Sequence, residues 1–205
     1  MAVETSTPLL RMIWPDEMAE LDLAPLQGLW TVEQCLTLTN QTNQLIKFTD
    51  GVIEVLPRPT KSHQMISKFL FLALLPIVQR SGGDMFYAPL RVQVRPGKFR
   101  EPDLLLVLDR NDLRAQDAFW LGADLVMEIV SPDRPERDTE EKPHDYAEAG
   151  ILEYWIVNPL DETITLLTLR GDAYAAHGVY RRGDALASPI LDGFSISVDE
   201  VFDVR

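Results

Sequence analysis

Three short segments of this chain are apolar almost throughout, and they constrain its fold more than any other feature. They are residues 103–108 (DLLLVL), 124–130 (DLVMEIV) and 152–157 (LEYWIV). Runs of this length and composition are typical of strands that are covered on both faces, whereas a strand with one solvated face alternates apolar and polar residues. The segments therefore predict a buried sheet with helices packed against it, in an α/β domain.

Helical patterns flank these strands. Residues 60–79 are apolar nearly all round, which predicts a buried central helix or an interface helix, and we expect Pro76 to kink or end it. Residues 140–149 predict a second helix, with Pro143 in its first turn and Gly150 as its C-cap. The resulting element order, β-β-α-β-β-β-α-β, predicts a mixed sheet.

Two local signals precede the long helix. Thr31, with a glutamine three positions later, is the expected N-cap of a short helix. The pair Asp50-Gly51 lies between two apolar runs and predicts a β-hairpin, an N-terminal extension of the sheet. Residues 1–30 show no sustained period. We therefore expect an irregular extension over residues 1–30 and a single domain over residues 31–205.

The charge of the chain is unevenly distributed. The 205 residues include 19 Lys and Arg against 32 Asp and Glu, a net charge of −13, which disfavours nucleic acid as a partner. Residues 47–100 nevertheless hold nine basic and three acidic side chains, whereas residues 101–160 hold five basic and fifteen acidic ones. The acidic segment is either a solvated surface or a carboxylate site for a divalent cation, with a basic face beside it.

Cysteine content and hydropathy bear on the cellular compartment. A single cysteine, Cys35, excludes an internal disulfide and suits a reducing compartment. The longest apolar run, residues 69–78, is about half of what a bilayer span needs. The N-terminus shows no basic segment followed by an apolar one. We expect a cytoplasmic protein with no membrane contact.

Two acidic residues accompany the buried strands. Asp103 follows Pro102 at the start of one apolar segment, and Glu128 lies inside the next. An ionised carboxylate in so apolar a run is costly unless it is paired or bound to a metal. Two carboxylates on adjacent strands suit Mg²⁺, and without a metal their repulsion should raise the pKa of one of them. Lys142, at the start of the following helix, is placed to orient a metal-bound water.

The segment that contains Glu128 and Lys142 has a distinctive sequence. Residues 124–159, DLVMEIVSPDRPERDTEEKPHDYAEAGILEYWIVNP, resemble the Uma-type putative restriction endonuclease family of the PD-(D/E)XK nuclease superfamily, and the resemblance extends over about residues 31–202. It implies a restriction-endonuclease-like core, a mixed β-sheet flanked by helices. It also implies an endonuclease that hydrolyses phosphodiester bonds of DNA and depends on Mg²⁺ or Mn²⁺.

The resemblance also implies site residues. Asp103 and Glu128 correspond to metal ligands, and the carbonyl of Ile129 to a third ligand. The superfamily usually places a lysine two positions after the acidic residue, but this chain has Val130 there. The resemblance suggests that Lys142 on the following helix has taken over the role of that lysine.

Four further residues are possible accessory residues, of which Glu54 and His63 match family positions near the metal. Glu54 is an accessory acidic ligand or an exposed strand residue, and His63 either contacts phosphate or Glu54 or hydrogen-bonds locally. Gln64, the next residue, is a weaker candidate for the same contacts as His63. Tyr146, one turn after Lys142, is expected to pack in the core with a polar tip. Asp138 is expected to cap its helix rather than to bind a metal.

Three functions remain open on these residues. The first is a DNA endonuclease, the second a catalytically inactive binding or structural module on the same fold, and the third a metal-dependent hydrolase of another phosphoester. A homodimer is also expected, because Phe71, Leu72 and Leu74 should form an outward apolar face on the long helix. The N-terminal extension is the alternative cover for that face.

Overall fold

The computed structural model describes residues 9–14, 17–39, 41, 42, 45–56 and 58–204. The strands are β1 Leu9–Trp14, β2 Glu17–Asp22, β3 Leu45–Thr49, β4 Val52–Leu56, β5 Asp84–Tyr87, β6 Val92–Arg95, β7 Lys98–Arg100, β8 Leu104–Val107, β9 Leu125–Ile129, β10 Glu153–Asn158, β11 Thr163–Arg170, β12 Ala173–Tyr180, β13 Ala185–Ala187 and β14 Ser195–Ser197. The helices are α1 Val32–Thr39, α2 Lys61–Arg80, α3 Lys142–Glu148 and α4 Val198–Phe202, with a short 3-10 helix at Ala24–Leu26 and a π-helical turn at Arg137–Glu141. The chain divides into two compact units, residues 1–58 with 96–100, and residues 59–95 with 101–205.

The first unit contains the two local structures that the sequence predicts before the long helix. Strands β3 and β4 pair antiparallel around Asp50 and Gly51, whose φ angles of 47° and 81° give the left-handed turn that an Asp-Gly hairpin favours. At the start of α1, the Gln34 N–H donates to Thr31 Oγ1 at 3.2 Å, and the Thr31 N–H donates to Gln34 Oε1 at 2.9 Å. This capping box confirms the predicted N-cap.

The irregular extension expected over residues 1–30 is wrong for two segments. Strands β1 and β2 pair antiparallel along six residues each, from Leu9 opposite Asp22 to Trp14 opposite Glu17. The sequence analysis missed them because each strand is short and mixes apolar with charged residues, so that no period of two stands out.

The second unit is built on a six-stranded mixed sheet. Its strand order is β12-β11-β10-β9-β8-β5, in which β9 and β10 are parallel and the other neighbours are antiparallel. The π-helical turn and α3 form the crossover between the two parallel strands, as a parallel pair requires. This sheet confirms the predicted mixed α/β architecture. The hairpin expected to extend it does not do so, because β3 and β4 belong to a separate four-stranded sheet of order β4-β3-β7-β6.

Both faces of the six-stranded sheet are covered, as the apolar segments predict. On one face, Leu104, Leu106 and Met127 pack in a buried cluster with residues of α2 and α4. On the other face, Leu105 and Val126 pack with residues that include Tyr146 of α3. The alternation of odd and even residues thus decides which acidic side chains point toward α3.

Helix α2 corrects two details of the prediction. The helix does not end at Pro76 but continues to Arg80. Pro76 leaves the carbonyl of Leu72 without its helical donor, but both residues lie on the exposed side of the helix, where water can satisfy that carbonyl. Leu74, expected on an outward face, is fully buried. The buried stripe follows a spacing of four residues: Ile66, Leu70, Leu74 and Val78. Among the described residues, no helix is long and apolar enough to cross a membrane.

Helix α3 begins two residues later than predicted. The π-helical turn occupies residues 137–141, and α3 begins at Lys142 with Pro143 in its first turn, as expected. Gly150 follows the helix with φ 71°, which is the left-handed C-cap that the sequence predicts. Lys142 therefore lies at the junction of the π turn and the helix.

Candidate active site

Strand register sets Asp103 beside Glu128. Strands β8 and β9 pair antiparallel with Leu104 opposite Met127, so that the next residue outward, Asp103, comes opposite Glu128. Both side chains lie on the face of the sheet that α3 covers, since they alternate with Leu104 and Met127 of the opposite face. Adjacent strands thus direct the two acids toward one place.

Asp103 is held by a backbone donor and by a histidine. The Ile129 N–H donates to Asp103 Oδ2 at 2.8 Å, and His63 Nε2 lies 3.0 Å from the same oxygen. His63 is positioned by the start of α2, where its own N–H donates to Thr60 Oγ1 at 3.2 Å. The side chain of His63 therefore contacts Asp103, a charged residue 40 positions away, and not a neighbouring group of its own helix.

Glu128 is enclosed on the other side by two residues of α3. Lys142 Nζ lies 2.8 Å from Glu128 Oε1, and the Tyr146 hydroxyl donates to the same oxygen at 2.5 Å. Lys142 and Tyr146 are one helical turn apart, so both project from the same face of α3. Lys142 Nζ also lies 2.7 Å from Asp138 Oδ1 in the π-helical turn. The Glu128 side chain is 3% exposed and that of Lys142 13% exposed.

Burial dominates the electrostatics of this cluster. It raises the pKa of Glu128, while Lys142 acts to lower it and the charges of Asp103 and Asp138 raise it further. For Lys142, burial acts to lower the pKa, but the carboxylates of Glu128 and Asp138 outweigh it and raise the pKa above 10.5. The expected rise in the pKa of one acid is therefore present, although desolvation contributes more to it than the repulsion from Asp103. Lys142 remains an ammonium ion.

His63 responds to the same charges. Burial on its own acts to lower the pKa of the imidazole, but the hydrogen bond to Asp103 and the charges of Asp103 and Glu128 raise it above 6.5. The ring is therefore more readily protonated than a free histidine.

The donor chemistry of the cluster suits a hard divalent cation. The cluster holds three carboxylates and two basic side chains, which are Asp103, Glu128, Asp138, Lys142 and His63. Among the described residues, Asp103 Oδ1 and Glu128 Oε2 have no protein partner. No three His, Cys, Asp or Glu side chains of those residues converge on one metal position. Two carboxylate oxygens of this kind are ligands that Mg²⁺ takes, since it is often held by one or two carboxylates and retains several waters. The metal itself remains a prediction.

The other predicted residues are placed as follows. Ile129 makes its described contact through its N–H, so a ligand role for its carbonyl remains a prediction. Gln64 is exposed on the first turns of α2. Glu54 belongs to the first unit, where its carboxylate lies 3.5 Å from Lys47 Nζ, and its accessory role remains a prediction.

Asp138 is the residue whose contact the sequence analysis missed. The expected N-cap role is wrong, because Asp138 lies inside the π-helical turn and contacts the ammonium group of Lys142. The spacing of four residues between Asp138 and Lys142 was visible in the sequence and is the spacing of helical ion pairs. What the sequence did not reveal is that the turn preceding α3 is itself helical.

Comparisons with known proteins identify the family and the fold. The family model described as "Putative restriction endonuclease" (Uma2) matches residues 32–199. The chain belongs to this Uma2 family. A solved structure, that of a putative nuclease belonging to DUF820 from Anabaena variabilis ATCC 29413, is similar with a TM-score of 0.66 and 16% sequence identity, over 82% of this chain and 96% of the other. No curated protein matches.

Proposed function

We propose that this protein is a metal-dependent endonuclease that hydrolyses phosphodiester bonds of DNA. On this proposal the chain over residues 31–205 is a single restriction-endonuclease-like domain. The proposal rests on membership of the Uma2 family together with the charged cluster around Glu128.

The observation that carries the proposal is the burial of Glu128 beside Lys142. Both side chains are almost completely enclosed, and a buried ion pair is seldom more stable than well-packed apolar residues of the same size. Asp103 adds a third carboxylate to those of Glu128 and Asp138, and its charge raises the pKa of Glu128 further. Such an arrangement is costly for stability, and a catalytic role accounts for its presence.

The proposed roles follow from the contacts of each residue. Asp103 and Glu128 would hold the cation, with the Ile129 carbonyl as a third ligand. A bound Mg²⁺ or Mn²⁺ supplies the polarisation of the scissile phosphate and an activated water. Lys142, fixed by Glu128 and Asp138, places a positive charge where negative charge develops on the phosphate oxygens. Tyr146 orients Glu128.

A plasmid-nicking assay tests the proposal. Supercoiled DNA is incubated with the protein and Mg²⁺, Mn²⁺ or EDTA, using wild type, Asp103→Asn, Lys142→Met and the control Glu153→Gln. Glu153 is also a buried strand acid, but it hydrogen-bonds Trp155 and Ser188 instead of the cluster. We expect nicking with metal by wild type and by Glu153→Gln, and its loss in the other two variants. Equal nicking by Asp103→Asn would contradict the proposal.

The same Asp103→Asn variant tests metal binding without activity. In EDTA we expect a small change in melting temperature or a slight gain, since Asn still accepts the Ile129 N–H and one charge beside Glu128 is removed. Mg²⁺ should raise the melting temperature of wild type but not that of the variant. A large loss of stability in EDTA would show that Asp103 has a structural role instead.

A catalytically inactive module on the same fold is the second candidate. The position two residues after Glu128 is Val130, where the superfamily usually has its lysine, and this favours the alternative. On this proposal the protein binds DNA or assembles as a dimer without cleaving. Wild-type protein that gains stability with Mg²⁺ but never nicks DNA would support this candidate over the first.

A further inference from the structure

A groove opens beside Asp103 in the second unit. It has a volume of about 370 Å³ and lies between the first three turns of α2 and the end of β5. Asp103 and His63 form its wall on the side of the candidate active site. Grooves of this volume hold small ligands or single groups of larger ones.

A basic stripe runs along the helical side of the groove. Lys61, Gln64 and Lys68 line it, and their spacing of three and four residues places them on one face of α2. All three are exposed. Among the described residues neither lysine has an ion-pair partner, and Asp103 is the acid that lines the groove. Away from Asp103, the groove therefore attracts anions.

Two aromatic rings also line the groove. Tyr87, the last residue of β5, is 59% exposed, and its ring contacts Phe71 edge to face with the centroids 5.2 Å apart. Phe71 follows Lys68 on the same face of α2, three residues further on. Tyr87 is thus an aromatic side chain that packs against Phe71 and stays accessible to a planar group.

We propose that this groove binds an unpaired nucleotide of the DNA strand, next to the phosphate that the candidate active site would cleave. The base stacks on Tyr87, and Lys61 and Lys68 contact phosphates of the same strand. Gln64 offers one donor and one acceptor to the edge of the base. This inference rests on the proposed function for the identity of the strand, and it names the substrate class as single-stranded or locally unpaired DNA.

The combination of groups favours an unpaired nucleotide over an intact duplex. A base within a duplex has both faces stacked on its neighbours, so an aromatic wall gains contact only with a base that has left the stack. Lysines beside an accessible aromatic ring are the usual means of binding single strands. Lys61 and Lys68 are about 10 Å apart along the helix axis, so they are placed to contact different phosphates of one strand. The groove itself has room for one base.

Binding measured in EDTA tests this inference apart from cleavage. Fluorescence anisotropy is recorded for a fluorescein-labelled 12-nucleotide single strand and for its duplex, with wild type, Tyr87→Ala, Tyr87→Trp and Phe86→Ala. Phe86 is the matched control, an exposed neighbour on β5 that packs on Trp120 and does not line this groove. We expect tighter binding of the single strand, about tenfold weaker binding by Tyr87→Ala, and near wild-type binding by the other two.

The lysines give a second, independent readout. The logarithm of the binding constant falls linearly with the logarithm of salt concentration, and each lost phosphate contact reduces the slope by about 0.7 for a single strand. Lys61→Gln and Lys68→Gln should each reduce it by this amount. Arg80→Gln, at the far end of the same helix, should leave it unchanged.

The outcomes separate this inference from the proposed function. Single-strand binding that depends on Tyr87, with no nicking in Mg²⁺, supports the groove and contradicts the endonuclease. Nicking with metal, combined with equal binding by Tyr87→Ala and wild type, overturns the groove and retains the endonuclease. Failure of the wild type to bind the single strand more tightly than the duplex also overturns the inference.

Discussion

Lys142 is the residue on which the charge balance of the site depends. It lies between Glu128 and Asp138, both of which are buried, and it is the cation in direct contact with them. Removing one partner of a buried ion pair leaves the other charge desolvated and uncompensated, which costs more than the intact pair contributes. The stability of the metal-free protein should therefore depend strongly on this side chain.

We expect Lys142→Met to lower the free energy of unfolding by about 3–5 kcal/mol in EDTA at pH 7, measured by urea denaturation. Arg80→Met, an exposed cation on α2, should change it by less than about 1 kcal/mol. Adding Glu128→Gln to Lys142→Met should recover part of the lost free energy of unfolding. One of the two carboxylates that have lost their lysine is then replaced by a neutral amide. A Lys142→Met variant as stable as wild type would mean that the cluster does not hold its charges as described.

Glu153 gives the fold a pH dependence that is separate from the site. Burial raises its pKa above 4.5, and the hydrogen bonds from Trp155 and Ser188 offset this only in part. The folded protein therefore holds this proton to a higher pH than the unfolded chain does. The resulting stabilisation is fully present below about pH 4.5 and is lost as the pH rises through the raised value.

We expect Glu153→Gln to remove the loss of stability that Glu153 causes as the pH rises. The amide oxygen still accepts from Trp155 Nε1, and the side chain no longer ionises. Melting temperatures of wild type and variant should be similar near pH 5, and the variant should gain on wild type as the pH rises to 8. A constant difference across that range would show that Glu153 ionises normally in the folded protein.

At the scale of the element, sequence reasoning succeeded where a signal is local. The Thr31 capping box and the Asp50-Gly51 hairpin each depend on residues a few positions apart, and both form. Asp103 and Glu128 could be singled out as candidates because an acid in an apolar strand stands out. Their register and the contact of His63 with Asp103 were not, since strand pairing and the packing of α2 bring together residues that are 25 and 40 positions apart in the chain.

Helix α2 shows why its orientation was harder to predict. A helix that is apolar nearly all round has a weak preference for one face, so its packing partners decide which stripe is buried. Leu74 belongs to the buried stripe, whereas Leu72, two residues earlier, is 60% exposed. The outward apolar face that suggested a dimer is accordingly smaller than expected.

The two leucines provide a matched test of this orientation. Leu74→Ala should lower the free energy of unfolding by about 2–5 kcal/mol, because it leaves a cavity in the core between α2 and the sheet. Leu72→Ala should change it by about 0.5 kcal/mol or less. Equal losses in thermal or urea denaturation would mean that the helix is rotated relative to this description.

At the scale of the whole molecule, a two-fold homodimer remains a prediction. Leu72 is the residue of the expected outward face that stays exposed, and a second copy is one way to cover it. Two sites in one assembly would also suit two DNA strands. Light scattering at micromolar concentration should give twice the chain mass of 23.2 kDa. A particle of a single chain mass would contradict the dimer.

The parallel pairing of β9 and β10 has a consequence for how the site forms. Glu128, Asp138, Lys142 and Tyr146 all belong to the continuous stretch from β9 through the crossover to β10. Two parallel strands can pair only when the crossover between them has folded back across the sheet. We therefore expect the pairing of β9 with β10 and the contact of the Lys142 ammonium group with Glu128 to form together. Hydrogen exchange should therefore find the amides of β9, α3 and β10 opening together, because a partial opening would strand a charge in an apolar interior.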